Sequence, residues 1–221
     1  MRNSVAILTL LSGFLLAQPS FTAADIISNL AGASAVSAAD MDNDGDNDII
    51  ATALNDDEVI VFTNETSGLV TSSFAANTIS TSADGVKSVY AADIDNDYVI
   101  EFVISSKNKH CYVINQFGNI ELEYETSQYL MASPSLANLD NDDDLEIAIA
   151  GYSNSSYLHV INFDGSPVEN FPLFIGEKVL RGPSIYDVDE NGLHDIVLAT
   201  ESNNIYIMRG TSALTLMEIS A

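Results

Sequence analysis

Short apolar runs, separated by polar turns and acidic loops, recur along most of the chain. Each acidic loop is followed by an apolar, β-branched run, then by a polar turn and a second run of the same kind. In the first unit these runs are Ile49–Ala51 and Val59–Phe62, and in the last they are Ile196–Leu198 and Ile205–Met208. Runs of this length, bounded by Asn- and Asp-rich turns, are typical of strands in hairpins. Since no later stretch has a convincing helical period, the pattern predicts an all-β fold.

The acidic loops repeat at a nearly constant interval. Four segments align on their oxygen-bearing residues and begin at Asp40, Asp93, Asn138 and Asp187, which lie 53, 45 and 49 residues apart. A period of this size is typical of propeller blades and similar arrays. We therefore expect a β-propeller built of four-stranded blades, with four blades visible within residues 25–221. Four blades either close into a small propeller or belong to an incomplete larger one, and we favour the second.

Each loop places oxygen-bearing side chains at positions 1, 3, 5 and 9. These residues are Asp40, Asp42, Asp44 and Asp48; Asp93, Asp95, Asp97 and Glu101; Asn138, Asp140, Asp142 and Glu146; and Asp187, Asp189, Asn191 and Asp195. Calcium takes roughly six to eight oxygen ligands, and alternate residues of a tight loop can all point at one ion. A backbone carbonyl at position 7 would add a ligand, and this position is occupied by Asp46, Val99, Asp144 and Leu193. The loops at 40–48, 93–101, 138–146 and 187–195 therefore predict four Ca²⁺ sites.

Position 6 of each loop requires a sharp turn, which glycine adopts with positive φ at no steric cost. Gly45 and Gly192 supply such a residue, and Asp143 tolerates the same conformation. Tyr98 is poorly suited to this position, so we expect the second site to be the weakest or empty. An EF-hand would need a glutamate at position 12, but Ala51 and its equivalents lie there inside strands, which excludes that motif.

The charge of the chain supports cation binding and argues against two classes of partner. Lys and Arg number 7 against 32 Asp and Glu, which gives a formal net charge of −25. This excess disfavours nucleic acid and anionic membrane surfaces. Acidic runs are often no more than solvated turns. However, 18 of the 32 carboxylates lie within the four loops, where mutual repulsion would oppose folding in the absence of a cation.

The amino terminus has the features of a secretory signal. Arg2 precedes an apolar run from Val5 to Ala17, and small residues follow at 22–24. We therefore expect a signal peptide over residues 1–24, the alternative being a buried core strand or helix. The mature chain is then expected to lie outside the cytoplasm, secreted or, in a bacterium, periplasmic or on the cell surface. The single cysteine, Cys111, lies in an apolar run and is expected to fill core space.

Several short segments resemble known repeat families. The segments Val61-Phe62-Thr63-Asn64 and Ser88-Val89-Tyr90-Ala91-Ala92-Asp93 resemble VCBS repeats. The third and fourth acidic loops follow Ser133-Pro134-Ser135 and Gly182-Pro183-Ser184, which resemble FG-GAP repeats such as those of integrin α-subunits. This resemblance extends roughly from Ala35 onward. It implies a β-propeller with calcium in the loop between the first two strands of a blade.

The resemblance specifies no single activity. We expect an extracellular binding or adhesion module whose partner is a protein or a glycan, with possible association to further blades or another chain. The alternative is a fragment or accessory propeller of an extracellular polysaccharide-active enzyme. Catalysis is not expected, because the sequence contains no nucleophile elbow, zinc-protease helix motif or phosphate-binding glycine loop. The three histidines, His110, His159 and His194, occupy unrelated repeat positions, and His159 is expected to be an ordinary surface or edge residue.

Overall fold

The computed structural model describes residues 26–27, 30–65, 73–140, 142–210 and 215–220. The signal peptide expected at residues 1–24 lies outside this range. The described residues form sixteen strands and no helix, so none long and apolar enough to cross a membrane is found among them. The prediction of an all-β fold is confirmed.

The strands form four antiparallel sheets of four strands, each a simple meander in chain order. Blade 1 contains β1 (Ala33–Ala39), β2 (Asp48–Ala53), β3 (Glu58–Asn64) and β4 (Phe74–Ser80). Blade 2 contains β5 (Val86–Ala92), β6 (Glu101–Ser106), β7 (His110–Asn115) and β8 (Ile120–Glu125). Blade 3 contains β9 (Ser135–Ala137), β10 (Glu146–Ala150), β11 (Tyr157–Ile161) and β12 (Leu173–Phe174). Blade 4 contains β13 (Ser184–Tyr186), β14 (Asp195–Ala199), β15 (Asn204–Arg209) and β16 (Thr215–Ser220).

Three apolar clusters join the blades in sequence. Ile50 of blade 1 packs with Phe102 and Ile104 of blade 2. In the next junction, Val103 of blade 2 packs with Ile147 and Ile149 of blade 3. The last cluster places Ala148 of blade 3 against Ile196 and Leu198 of blade 4. Successive side chains of a strand point to opposite faces of its sheet, so each second strand contributes alternately to the junction before it and the junction after it.

The first strands of the blades lie next to one another, since β1 contacts β5 and β9 contacts β13. Each acidic loop connects the first strand of a blade to the second, which places all four loops at the same edge of the array. Cys111 is fully buried, as expected of a core residue. His159, in contrast, is only 7% exposed, so the expectation of a surface or edge position was wrong. Its strand β11 lies inside the third sheet, and the hydroxyl of Tyr124 in blade 2 is hydrogen-bonded to Nδ1 of its ring at 3.0 Å.

Candidate metal centres

Each acidic loop brings three carboxylates together. In blades 1, 2 and 4 these come from positions 1, 3 and 9, and in blade 3 from positions 3, 5 and 9, where Asn138 occupies position 1. The groups are Asp40, Asp42 and Asp48; Asp93, Asp95 and Glu101; Asp140, Asp142 and Glu146; and Asp187, Asp189 and Asp195. Within a group, one oxygen of each residue lies within 4.8 Å of the others. Two oxygens on one calcium ion lie at most about 5 Å apart, so all four groups have suitable dimensions.

The position-9 carboxylate is the buried member of each group. Asp48, Glu101, Glu146 and Asp195 are each at most 2% exposed, because they begin the second strand and lie against the blade interior. In every blade one of their oxygens accepts a hydrogen bond from the amide of position 2. The donors to Asp48, Glu101 and Asp195 are Met41, Ile94 and Val188, at 2.9, 2.9 and 3.0 Å, and Leu139 donates to Glu146.

This bond to position 2 was not foreseen from the sequence. The residue there is apolar in all four loops, and in the first three it is also buried, as Met41, Ile94 and Leu139 are. The side chain anchors the loop in the core while its amide orients the position-9 carboxylate. The only sign of this bond in the sequence is the apolar residue at position 2, between the oxygen-bearing residues of positions 1 and 3.

The position-1 aspartate holds the turn in shape. In blade 1 the two oxygens of Asp40 accept the amides of Asp44 and Gly45 at 3.1 and 3.0 Å. Asp93 and Asp187 make the same pair of bonds in blades 2 and 4. The third loop differs, because the Asn138 side-chain amide donates instead to the carbonyl of Asp142. The third loop is therefore the irregular one.

Position 6 adopts positive φ in three loops, at Gly45, Tyr98 and Gly192, with φ of 97°, 71° and 88°. Tyr98 accommodates the turn, since its side chain is 80% exposed. Tyrosine thus adopts the positive φ of this position, for which the sequence analysis expected it to be poorly suited. A Cβ placed on Gly45 or Gly192 would contact nothing within 4 Å, which explains why a side chain fits at this position. Asp143 is not among the described residues with positive φ, so the turn expected there is not formed.

A local hydrogen bond joins positions 5 and 7 in every loop. Asp44, Asp97 and Asn191 at position 5 each accept the amide of position 7 with one side-chain oxygen, and the carboxylates of Asp44 and Asp97 lie outside the three-carboxylate groups. Asp142 makes the same bond to Asp144 but also belongs to its group. At position 7, where Asp46, Val99, Asp144 and Leu193 were expected to offer a carbonyl, Asp46 also turns a side-chain oxygen inward.

Each loop contains one buried carboxylate oxygen without a hydrogen-bond partner. These atoms are Oδ1 of Asp46, Oδ1 of Asp95, Oε1 of Glu146 and Oδ1 of Asp195. A buried carboxylate oxygen without a partner is costly, so buried polar atoms are normally satisfied. One such atom in every loop, beside two or three further carboxylates, fits a site for a hard cation with oxygen ligands.

Several carboxyl groups of the first three loops have raised pKa values. Burial, together with the charges of neighbouring carboxylates, raises the pKa of Glu101 and of Glu146 to about 7. Burial, followed by the charges of neighbouring aspartates, also raises the pKa of Asp42, Asp46 and Asp95. Like charges held close together disfavour the ionised forms, and a divalent cation would relieve this repulsion.

Neighbouring loops are hydrogen-bonded to one another. The side-chain amide of Asn43 donates to the carbonyl of Tyr98 at 3.2 Å, which joins the first loop to the second. The Leu145 amide donates to the carbonyl of Ile94 at 2.8 Å between the second and third. Nδ1 of His194 lies 3.0 Å from the carbonyl of Asn138, between the third and fourth. The four candidate sites therefore form one continuous row along the edge of the array.

Residues 40–104 match the family model described as FG-GAP-like repeat. This segment spans the first two acidic loops, which the sequence analysis had compared with VCBS repeats, and it confirms that the chain resembles the FG-GAP-like repeat family. No curated protein sequence matches the chain.

Solved structures with the same fold share little sequence with the chain. BBS1N, in a crystal structure with ARL6DN soaked with lead, is 13% identical to this chain and has a TM-score of 0.59. The match covers 86% of this chain and 58% of the BBS1N chain. BamB from Moraxella catarrhalis is 12% identical with a TM-score of 0.52 over 84% of this chain and 50% of its own. Both are β-propellers, which identifies the blades described above as propeller blades. The chain thus spans little more than half the length of these structures.

Proposed function

We propose that this chain is a calcium-binding β-propeller repeat protein that acts outside the cytoplasm as a binding or adhesion module. The observation that carries the proposal is the group of three carboxylates found at the equivalent place in all four blades. Such a module presents loops on a rigid scaffold, and bound calcium would reduce the ordering entropy lost when a partner binds.

The donor atoms support calcium over softer metals. The four groups contain only carboxylate oxygens, with neither histidine nor cysteine among their members. Zinc and copper sites usually include nitrogen or sulfur ligands, whereas calcium is bound by oxygen. Asp40, Asp42 and Asp48 would hold the ion in the first loop, and the equivalent residues would do so in the others. The ion would supply positive charge that permits these carboxylates to stay ionised and close together.

Isothermal titration calorimetry of the metal-stripped chain with CaCl₂ tests the metal part of this proposal. We expect up to four ions per chain, with dissociation constants of about 10⁻⁴–10⁻³ M, as in extracellular calcium modules. Replacement of Asp189 with Ala should remove one ion from the stoichiometry, because Asp189 belongs to the group in the fourth loop. The exposed Glu169, which belongs to no group, provides the control, and Glu169→Gln should leave the stoichiometry unchanged. Absence of binding at millimolar calcium would refute the calcium site.

The location and the partner require separate tests. The apolar run before residue 24 supports secretion, and mass spectrometry of exported protein should find a new amino terminus after a residue between Ala17 and Ala24. Retention of the intact amino terminus would contradict export through this segment. For the partner, immobilised extracellular proteins and glycans should retain the chain in calcium and release it in EDTA. Retention that is identical in both buffers would contradict a calcium-dependent binding role.

A further inference from the structure

The first and last blades of the described array each have one apolar face that no other blade covers. The alternation along the second strands defines two faces for every blade. The preceding face packs on the blade before it, as Phe102 of blade 2 and Ile196 of blade 4 do. The following face packs on the blade after it, as Ile50 of blade 1 and Val103 of blade 2 do. None of the three clusters in the described residues joins blade 4 to blade 1.

The preceding face of blade 1 is apolar and open. Ile49 and Ala51 stand where Phe102 and Ile104 are fully buried in blade 2, but both are only partly buried. Val36, which pairs with Ala51 on the same face, is 69% exposed. A groove of about 580 Å³ runs along this face, with Ile26, Ile27, Leu30, Val36, Ile49 and Phe62 among its lining residues.

The following face of blade 4, on the opposite end of the array, is also open. Val197 stands where Ile50 is fully buried in blade 1, but it is only partly buried. On the same face Ile205 is 41% exposed, and Tyr186 of the first strand is 72% exposed. Terminal repeats of a stable array normally carry a polar outer face, whereas the side chains described at both ends of this array are mainly apolar. Among the described residues, neither open face receives the cover that the internal blades give one another.

The two open faces match by the same rule that joins the internal blades. Within the array, a following face always meets a preceding face. Blade 4 of one molecule offers an open following face, and blade 1 of another molecule offers an open preceding face. Tyr186 stands where Ala39, Ala92 and Ala137 stand in the earlier blades, while the exposed Ala38 on β1 leaves room for a larger side chain opposite it.

Two arrays of this size together contain a number of blades that propellers are known to have. The four blades correspond to little more than half the length of the propellers that they resemble. Propellers contain roughly four to eight blades, so two arrays of four reach a permitted number. Two identical junctions related by a twofold axis also form a closed assembly, the commonest symmetry of protein oligomers.

From these faces we infer that a second copy of this chain completes the ring. The following face of blade 4 of each copy packs on the preceding face of blade 1 of the other. The product is a twofold-symmetric propeller of eight blades. This inference does not depend on the proposed extracellular role.

Sedimentation velocity of the full chain in calcium buffer tests the inference through charge substitutions on the two faces. We expect the wild-type chain to sediment with the mass of two chains. Val36→Glu and Ile205→Glu should each shift the protein to one chain, because either change places a charge in both junctions. Phe117→Glu is the matched control, since Phe117 is 76% exposed in the β7–β8 turn and lies on neither face. Both target side chains are largely exposed in a single chain, so thermal melting should show that the variants fold.

A mixture of the two variants distinguishes this arrangement from other dimers. In the mixture, one junction between unmodified faces remains available, so Val36→Glu and Ile205→Glu together should recover two-chain species. A wild-type monomer, oligomers that grow with concentration, or sensitivity to only one substitution would each overturn the inference.

Chemical cross-linking provides a second measurement that requires no charge substitution. Cysteines at Ala38 and Tyr186, both on the first strands of their blades, should be joined between copies by a short bismaleimide. The double variant should then give a two-chain band on a denaturing gel, and neither single variant should do so. A double variant that remains entirely one chain would also overturn the inference.

Discussion

Glu101 provides a test in which the effect of one substitution on stability should depend on the metal. This residue begins strand β6 and is 2% exposed, and its Oε2 accepts the Ile94 amide at 2.9 Å. Burial raises the pKa of this carboxyl to about 7. The substitution Glu101→Gln keeps the size and the acceptor oxygen of the side chain but removes its charge.

In EDTA, the substitution should stabilise the chain above neutral pH. Because the folded-state pKa is higher than the unfolded value of 4.5, the contribution of Glu101 to stability is present below pH 4.5. It is lost as the pH rises through about 7. The difference in pKa corresponds to about 3 kcal/mol once the group is ionised in both states. Glu101→Gln should therefore raise the free energy of unfolding at pH 8 by up to that amount, and by little at pH 4.5.

In calcium, the stabilising effect of the same substitution should be largely cancelled. Glu101 forms one group with Asp93 and Asp95, so its loss removes one of three carboxylates from the second candidate site. A ligand present at 100 times its dissociation constant stabilises the folded state by about 2.7 kcal/mol, and emptying the site removes this contribution. Urea denaturation at pH 8, with and without calcium, measures both effects.

Exposed Glu169 again supplies the control, since Glu169→Gln should change neither value appreciably. If Glu101→Gln were destabilising by equal amounts in EDTA and in calcium, the residue would have only a packing role. The reasoning about charge and metal would then be refuted for this loop.

Four further substitutions test the fold and its electrostatics. Gly192→Ala should lower the free energy of unfolding by about 1 kcal/mol, because φ at this residue is 88°. Gly118→Ala should lower it clearly more, since the added Cβ would lie 2.1 Å from the carbonyl oxygen of Ile79. Urea denaturation compares the two variants, and equal losses would contradict the clash. Phe102→Ala should cost about 3–5 kcal/mol, because this fully buried ring joins blades 1 and 2, and a loss below 1 kcal/mol in the same assay would contradict that packing. Burial lowers the pKa of His159 to about 4, so its contribution to stability is lost as pH falls from 6.5 through 4. His159→Gln should therefore weaken the fall of the melting temperature between pH 7 and pH 4.5, and an unchanged slope would contradict it.

The repeat in the sequence was sufficient to predict the blades and, in blades 1, 2 and 4, the three positions whose carboxylates lie together. Spacing alone placed Asp40, Asp42 and Asp48 in one loop, and the structure brings them together because a tight turn directs alternate side chains inward. Asp44 was predicted on the same grounds but lies outside the group, and its carboxylate accepts the Asp46 amide. Asp142 accepts the equivalent amide and still belongs to its group, so residue spacing does not reveal which position-5 residue joins the other carboxylates.

Other features depend on contacts between blades and have no local signal in the sequence. The burial of His159 results from packing against Tyr124 of the preceding blade, which an isolated strand does not reveal. Strand β12 contains only Leu173 and Phe174, too short a segment for a periodic pattern. Position 6 of the second loop was judged by the preference of tyrosine, whereas the open space around the equivalent glycines lets Tyr98 adopt the turn.

The row of loops links the candidate metal sites to the packing of the blades. The bonds from Asn43 to Tyr98, from Leu145 to Ile94 and between His194 and Asn138 each cross a junction at the acidic edge. Without a cation, repulsion between carboxylates acts across the junction of loops 2 and 3, where the charge of Asp144 contributes to the raised pKa of Asp95. A cation in one loop would reduce the repulsion felt by its neighbour and leave the connecting hydrogen bond intact. Calcium would therefore stabilise the contacts between blades as well as the individual loops, which is the property that an array of separately folded sheets most requires.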